Sequence, residues 1–77
     1  MTADQINELI KAKPFRSFRI VTTLGETFDV NSRDHIMVAG TTVLIGYDVD
    51  PADNVPEGFK HRGIEFIERL EPIRRAA

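Results

Sequence analysis

The apolar positions of this chain follow a helical period only at its start and a two-residue period almost everywhere else. Ile6, Leu9 and Ile10 recur at i, i+3 and i+4, which predicts an amphipathic helix over about residues 2–13. Thr2 followed by Gln5 has the form of a capping box, with Met1 against Ile6 as its hydrophobic staple. Asp4 in the first turn and Lys11 and Lys13 in the last suit the helix macrodipole. Pro14 ends the run, because the residue before a proline is pushed out of the α region. A helix of about three turns is unstable alone in water, so its stripe must lie on the rest of the domain.

From Phe15 onward neighbours alternate between faces. Phe18, Ile20 and Thr22 share one side of a first strand, and Arg19, Val21 and Thr23 the other. A turn at Leu24-Gly25 brings Glu26 to Val30 back antiparallel, placing Phe28 and Val30 beside Phe18 and Ile20 as the largest contiguous share of the core. Leucine suits the positive φ of a type I′ turn poorly, so the expected turn is type I with Gly25 left-handed in a G1 bulge.

Asn31 to Asp34 is a polar connection, His35 to Ala39 extends again, and Gly40-Thr41 turns the chain into a β-branched strand over 42–48. In that strand Val43, Ile45 and Tyr47 share one face while Thr42, Leu44 and Gly46 share the other. Apolar content on both faces predicts a central strand, or one whose second face is covered by the helix or a partner subunit. Residues 48–58 hold two of the four prolines and acids at 48, 50, 53 and 57, the composition of a loop. Ile64, Phe66, Ile67 and Leu70 predict a last strand over 63–73 with a bulge or sharp bend at Phe66–Ile67. Glu65 to Leu70 also contains good helix formers, but Phe and two Ile in so short a run favour strand. Arg74 to Ala77 reads as a frayed tail. The pattern as a whole predicts a single α+β domain over 1–77, an N-terminal helix followed by about five antiparallel, strongly bent strands within about 16–73, arranged as a small open barrel.

Composition changes this picture in one respect. A chain of 77 residues buries only about 60% of its unfolded surface, so the monomer is expected to be marginal and a homo-oligomer favoured. The 42% hydrophobic and 29% charged content is that of a folded globular protein rather than a disordered one. Without cysteine there is no disulfide, thiolate metal site or thiol nucleophile. The longest unbroken apolar run, Ile36 to Ala39, is far short of a membrane span and the start has no signal-peptide pattern, which predicts no membrane partner and a cytoplasmic location. A net charge of −2 argues against a surface wholly given to nucleic acid. The charge is uneven, however: Lys11, Lys13, Arg16 and Arg19 make the start basic, and Lys60, Arg62, Arg69, Arg74 and Arg75 the end.

Little in the chain carries chemistry. The acids from Asp48 to Glu57 invite a hard cation, but an EF-hand loop opening at Asp48 needs Gly at its sixth position and Glu at its twelfth, where Asp53 and Phe59 stand. Ser32, Asp34 and His35 are too close on an extended segment to converge as a triad. His61 has no nucleophile at a recognisable spacing, and the glycines are scattered as turn and bulge residues rather than gathered in a phosphate loop. No catalytic residue, metal ligand or cofactor is expected.

Two resemblances add to this reading. Arg62-Gly63 before an apolar-alternating strand resembles the second signature of Sm-like RNA-binding barrels, whose order of one helix and five bent strands is also similar. Ile20 to Val30 resembles the first signature only in part: the glycine of its second strand and the base-contacting Asn near Asp34-His35 are missing. The resemblance implies single-stranded RNA as a partner, with Arg62 and its neighbours Lys60 and His61 as contacts, and the basic start adds Arg16 and Arg19. Pro14-Phe15-Arg16-Ser17-Phe18-Arg19-Ile20, with Gly25 to Val30 and the late Ile64 to Pro72 strand, resembles a group of short bacterial proteins that open on Pro-Phe-Arg-Pro-Phe-Arg and imply no activity. Here Ser17 replaces the second proline and Leu24 the polar residue before Gly25. Phe15 and Phe18 suit the junction of helix and sheet, with Arg16 and Arg19 solvated or paired with Glu26 or Asp29. The expected function is that of a non-enzymatic protein-interaction or self-assembly module. Sm-like RNA binding is the rival, and a small metal-assisted hydrolase using the 48–57 acids with His35 or His61 is the third reading.

Overall fold

The computed structural model describes residues 1–73; the expected tail at Arg74 to Ala77 lies outside the described residues. Among these, one helix, α1 (Ala3–Lys11), precedes six strands: β1 (Phe18–Thr22), β2 (Thr27–Val30), β3 (Ile36–Ala39), β4 (Thr42–Tyr47), β5 (Gly58–Gly63) and β6 (Ile67–Pro72). Short 3-10 turns occupy Arg33–His35 and Ile64–Phe66. The strands form two three-stranded antiparallel sheets, ordered β2-β1-β6 and β3-β4-β5, and neither closes on itself among the described residues. No described helix is long and apolar enough to cross a membrane.

The capping box forms in full. Thr2 Oγ1 accepts from the Gln5 amide at 3.3 Å, and Gln5 Oε1 accepts from the Thr2 amide at 2.9 Å. The helix is shorter than the 2–13 expected, since Thr2 is its cap and Ala12 is already extended at ψ 139°. Its end is held from outside: Arg33 Nη2 donates to the Ala12 carbonyl at 2.8 Å, and the guanidinium lies 5.8 Å from the centre of the Phe15 ring. Ile6 is fully buried, and Leu9 and Ile10 pack against the same core.

The opening hairpin has the expected turn. Gly25 takes φ +85°, its amide donates to the Thr22 carbonyl at 3.0 Å, and the Thr22 amide donates to the Glu26 carbonyl at 2.9 Å. A side chain at Gly25 would meet no neighbour, so the requirement for glycine there is conformational. Phe18 pairs with Val30 and Ile20 with Phe28 across the strands. Phe18, Ile20 and Val30 are buried, whereas Phe28 is only half-buried, a correction to its expected place in the core. The other edge of β1 pairs with β6, with a register shift between Val21 and Thr22 that bends the sheet.

Six strands replace the expected five. Gly58-Phe59-Lys60-His61-Arg62-Gly63 falls between the expected loop over 48–58 and the expected last strand over 63–73, and it pairs with β4 over its whole length. It is an edge strand whose core-side positions are Lys60 and Arg62, opposite Ile45 and Val43. The acidic loop accordingly ends at Glu57. The expected last strand over 63–73 is divided by the Ile64–Phe66 turn just before the predicted bend, and the Thr23 amide secures that turn by donating to the Phe66 carbonyl at 2.8 Å. As its composition predicts, β4 is central.

The core is one cluster in which Phe18, Ile20 and Val30 of the first sheet meet Ile36, Val43 and Ile45 of the second, with Ile6, Ile64 and Ile67 completing it. Because Phe18 is 2% exposed and Phe28 half-buried, the two should part in urea denaturation. Phe18→Ala is expected to cost about 3–5 kcal/mol and Phe28→Ala about 1–2 kcal/mol; equal losses would place Phe28 in the core after all.

Candidate functional site

The five residues that sequence singles out for nucleic acid do not gather into one cationic patch. Arg16 is exposed ahead of β1, beside a narrow cleft shared with Leu9, Ser17 and Leu70. Arg19 on β1 lies opposite Asp29 on β2, and its Nε donates to Asp29 Oδ1 at 2.7 Å. Hydrogen bonding to Asp29, with the charge behind it, holds the Arg19 guanidinium still more firmly protonated. Lys60 and Arg62 leave the core-facing side of β5, while His61, between them, points outward by the strand period.

Arg62 is fixed by the hairpin. The turn that places Gly25 left-handed brings the Glu26 amide to Thr22 Oγ1 at 3.1 Å and aims the Glu26 carboxylate across to the second sheet. There Arg62 Nε and Nη2 donate to its two oxygens at 2.8 and 2.7 Å, a bidentate pair. Nη1 donates to the neighbouring His61 carbonyl at 2.7 Å, and the guanidinium lies 5.4 Å from the centre of the Phe28 ring. The hydrogen bonds from Arg62 hold the Glu26 carboxyl below its usual range against a smaller opposing effect of desolvation. Lys60 Nζ lies 4.9 Å from the centre of the Tyr47 ring. Thus Arg19 and Arg62 are already neutralised by carboxylates, and Arg62 joins the two sheets.

The acidic loop uses its carboxylates on its own backbone. Asp50 Oδ1 accepts from the Ala52 amide at 2.9 Å and Asp53 Oδ1 from the Val55 amide at 3.0 Å, while Asp48 and Asn54 take positive φ. The buried His35 directs Nε2 at the Asn54 carbonyl, 3.0 Å away, and so donates to it. Among the described residues, no three His, Cys, Asp or Glu side chains gather closely enough to hold a metal ion.

The outer face of β3-β4-β5 was not singled out by any motif. Opposed residues of an antiparallel pair share a face, so Met37, Leu44 and His61 form one row across the three strands, and Ala39, Thr42 and Gly63 the next. Phe59 lies at the other end, opposite Gly46. Met37 is 59% exposed and Phe59 45%, and Leu44 lies outside the core cluster. Pro56 closes the Gly46 end, where a Cβ on Gly46 would stand 3.0 Å from the proline ring. Phe66, 52% exposed, lays its ring against Gly63 at the opposite end. Next to it a cleft of about 620 Å³ opens between the start of α1 and the strand ends, lined by Met1, Thr42, Gly63 and Ile64 among others. Among the described outward positions of the three strands, His61 alone is titratable. The signal for this face in sequence was the apolar content on both sides of 42–48.

No family model, curated protein or solved structure matches this chain.

The Glu26–Arg62 pair makes stability depend on acid. A carboxyl lowered in the folded state adds stability above its unfolded value, near 4.5, and that contribution is lost as pH falls through the lower folded value. Arg62→Gln should flatten this part of the acid-unfolding curve, as should Glu26→Gln, and the double variant should add nothing further. Independent, additive effects in thermal melts between about pH 5 and 2 would show that the two groups do not act as a pair.

Proposed function

We propose that this chain is a non-enzymatic protein-interaction module that works through the outer face of β3-β4-β5. One observation carries the reading: Met37, Leu44 and Phe59 share that face, Met37 and Phe59 exposed and Leu44 half-buried, and no lysine, arginine or carboxylate of the three strands points to it. Large apolar side chains grouped on one face of a small domain are an interaction surface when no element of the chain covers them. The size of the face sets the strength. Three strands about 4.8 Å apart and six residues at about 3.3 Å each span roughly 14 by 20 Å, well below the ~800 Å² per partner of a standard interface. Binding is therefore weak, with dissociation constants on the order of 10 μM to 1 mM.

The order of helix, short bent strands and a 3-10 turn before the last strand supports reading the two sheets as halves of an open Sm-like or SH3-like barrel. RNA recognition draws less support from the same geometry. Of the five residues it rests on, Arg62 and Arg19 are bound to Glu26 and Asp29, Arg16 lies apart ahead of β1, and Lys60 leaves the core-facing side of β5, so the face that carries Phe59 and His61 presents no lysine or arginine. A phosphate on that face would meet no cation to draw it. A hydrolase reading draws no support from Asp50, Asp53 and His35, all engaged with loop backbone.

Sedimentation velocity from about 10 μM to 1 mM tests the proposal. Concentration-dependent association that Phe59→Ser and Met37→Ser each weaken, with the far-ultraviolet spectrum unchanged, is the expected result. A shift with single-stranded RNA at low salt, lost in Arg62→Gln and absent for any protein contact, would overturn it in favour of RNA.

A further inference from the structure

We infer that the cleft between α1, the start of β1 and β6 binds a medium-chain fatty carboxylate, its alkyl chain against Leu9 and Leu70 and its carboxylate on Arg16. This site is separate from the outer face of β3-β4-β5. Its origin lies in the opening Phe15-Arg16-Ser17-Phe18-Arg19, three of whose side chains are accounted for by packing and pairing. Phe18 belongs to the core, and Phe15 lays its ring 6.0 Å from that of Phe18, with the Arg33 guanidinium 5.8 Å from its centre. Arg19 is bound to Asp29. Arg16 and Ser17 remain. Among the described residues neither side chain makes a hydrogen bond or ion pair, and both line the same cleft.

Paired backbone sets the walls. Phe18 stands opposite Pro72, and the Ile73 amide donates to the Ser17 carbonyl at 3.1 Å, which holds the end of β6 against the start of β1. Leu9 from α1 and Leu70 from β6, both half-buried, supply the remaining apolar surface. The space is about 270 Å³. An apolar cavity of about 150 Å³ takes benzene, and at about 30 Å³ for each water-sized group this cleft holds roughly nine, the bulk of a chain of about eight carbons. Charge selects the head group. Glu71 also borders the cleft, but it lies opposite Arg19 in the register and so faces away from Leu70, and its Oε2 accepts from Arg69 Nε at 3.0 Å. Arg16 is the guanidinium left without a carboxylate. An apolar molecule that ends in a carboxylate therefore suits both the walls and the charge, through the two-oxygen match that arginine favours.

Octanoate is the probe, titrated into the protein and followed by amide and methyl NMR shifts. It should bind with a dissociation constant below about 1 mM, shift Leu9 and Leu70, and bind about fivefold more tightly than uncharged octanol. Each methylene removed from the chain should weaken binding about two- to fourfold. Arg16→Gln, at an exposed position, should abolish the preference for octanoate and leave octanol binding unchanged. Equal affinity for the two ligands, or octanoate binding undiminished in Arg16→Gln, would overturn the inference. Shifts confined to Met37, Leu44 and Phe59 would place the ligand on the outer face instead, and the absence of any shift at about 5 mM octanoate would remove the site altogether.

Discussion

A nine-residue helix and two three-stranded sheets present more apolar faces than they can cover for one another. The inner faces meet, with Ile6 from α1 inserted among Phe18, Ile20, Val43 and Ile45, and this contact consumes the helix's apolar stripe. Among the described residues, nothing of comparable size remains to cover the far side of β4. In a larger domain a second helix would lie there; in a domain this small the surface-to-volume ratio leaves a face over. Leu44, Met37 and Phe59 are what this shortage looks like at the level of side chains.

The polar residues are arranged around the same division. Lys60 and Arg62 sit on the core side of an edge strand, where a charge would be costly if it stopped at the sheet. Their stems instead carry the charges past the core, to the Tyr47 ring and to Glu26 beside Phe28. The Gly25 turn is a precondition, because it fixes where Glu26 points. Cation, carboxylate and aromatic ring thereby join the two sheets at their open side, and the outer face of the second sheet is left without these cations.

Much of the fold was legible because its signals are local. The capping box at Thr2 and Gln5, the bulge at Gly25 and the centrality of residues 42–47 each follow from the chemistry of a few neighbouring residues. What escaped was decided by tertiary contact. β5 has lysine and arginine at the positions where an apolar residue announces a strand, and only its pairing with β4 and the distant Glu26 make it one. Phe28 alternates correctly with Val30 yet ends half-buried, since the ring faces the Arg62 guanidinium at the sheet margin. The candidate face was legible in outline, as a second apolar side to β4, but its members come from three strands. Phe59 could not be joined to Met37 before β5 was known.

The strand edges bear on how the proposed module would associate. Short open sheets invite edge pairing, yet most edges here carry the features that discourage it. β6 presents Glu68, Arg69, Glu71 and Pro72; β5 holds inward Lys60 and Arg62; β2 carries Asp29, tied to Arg19. β3 lacks a charge, but it has only four residues and α1 lies against it. Pairing along any of these edges would have to desolvate charges or displace the helix. Packing through the outer face of β3-β4-β5 demands neither and removes Met37, Leu44 and Phe59 from water, so the energetics favour contact between faces over extension of the sheets.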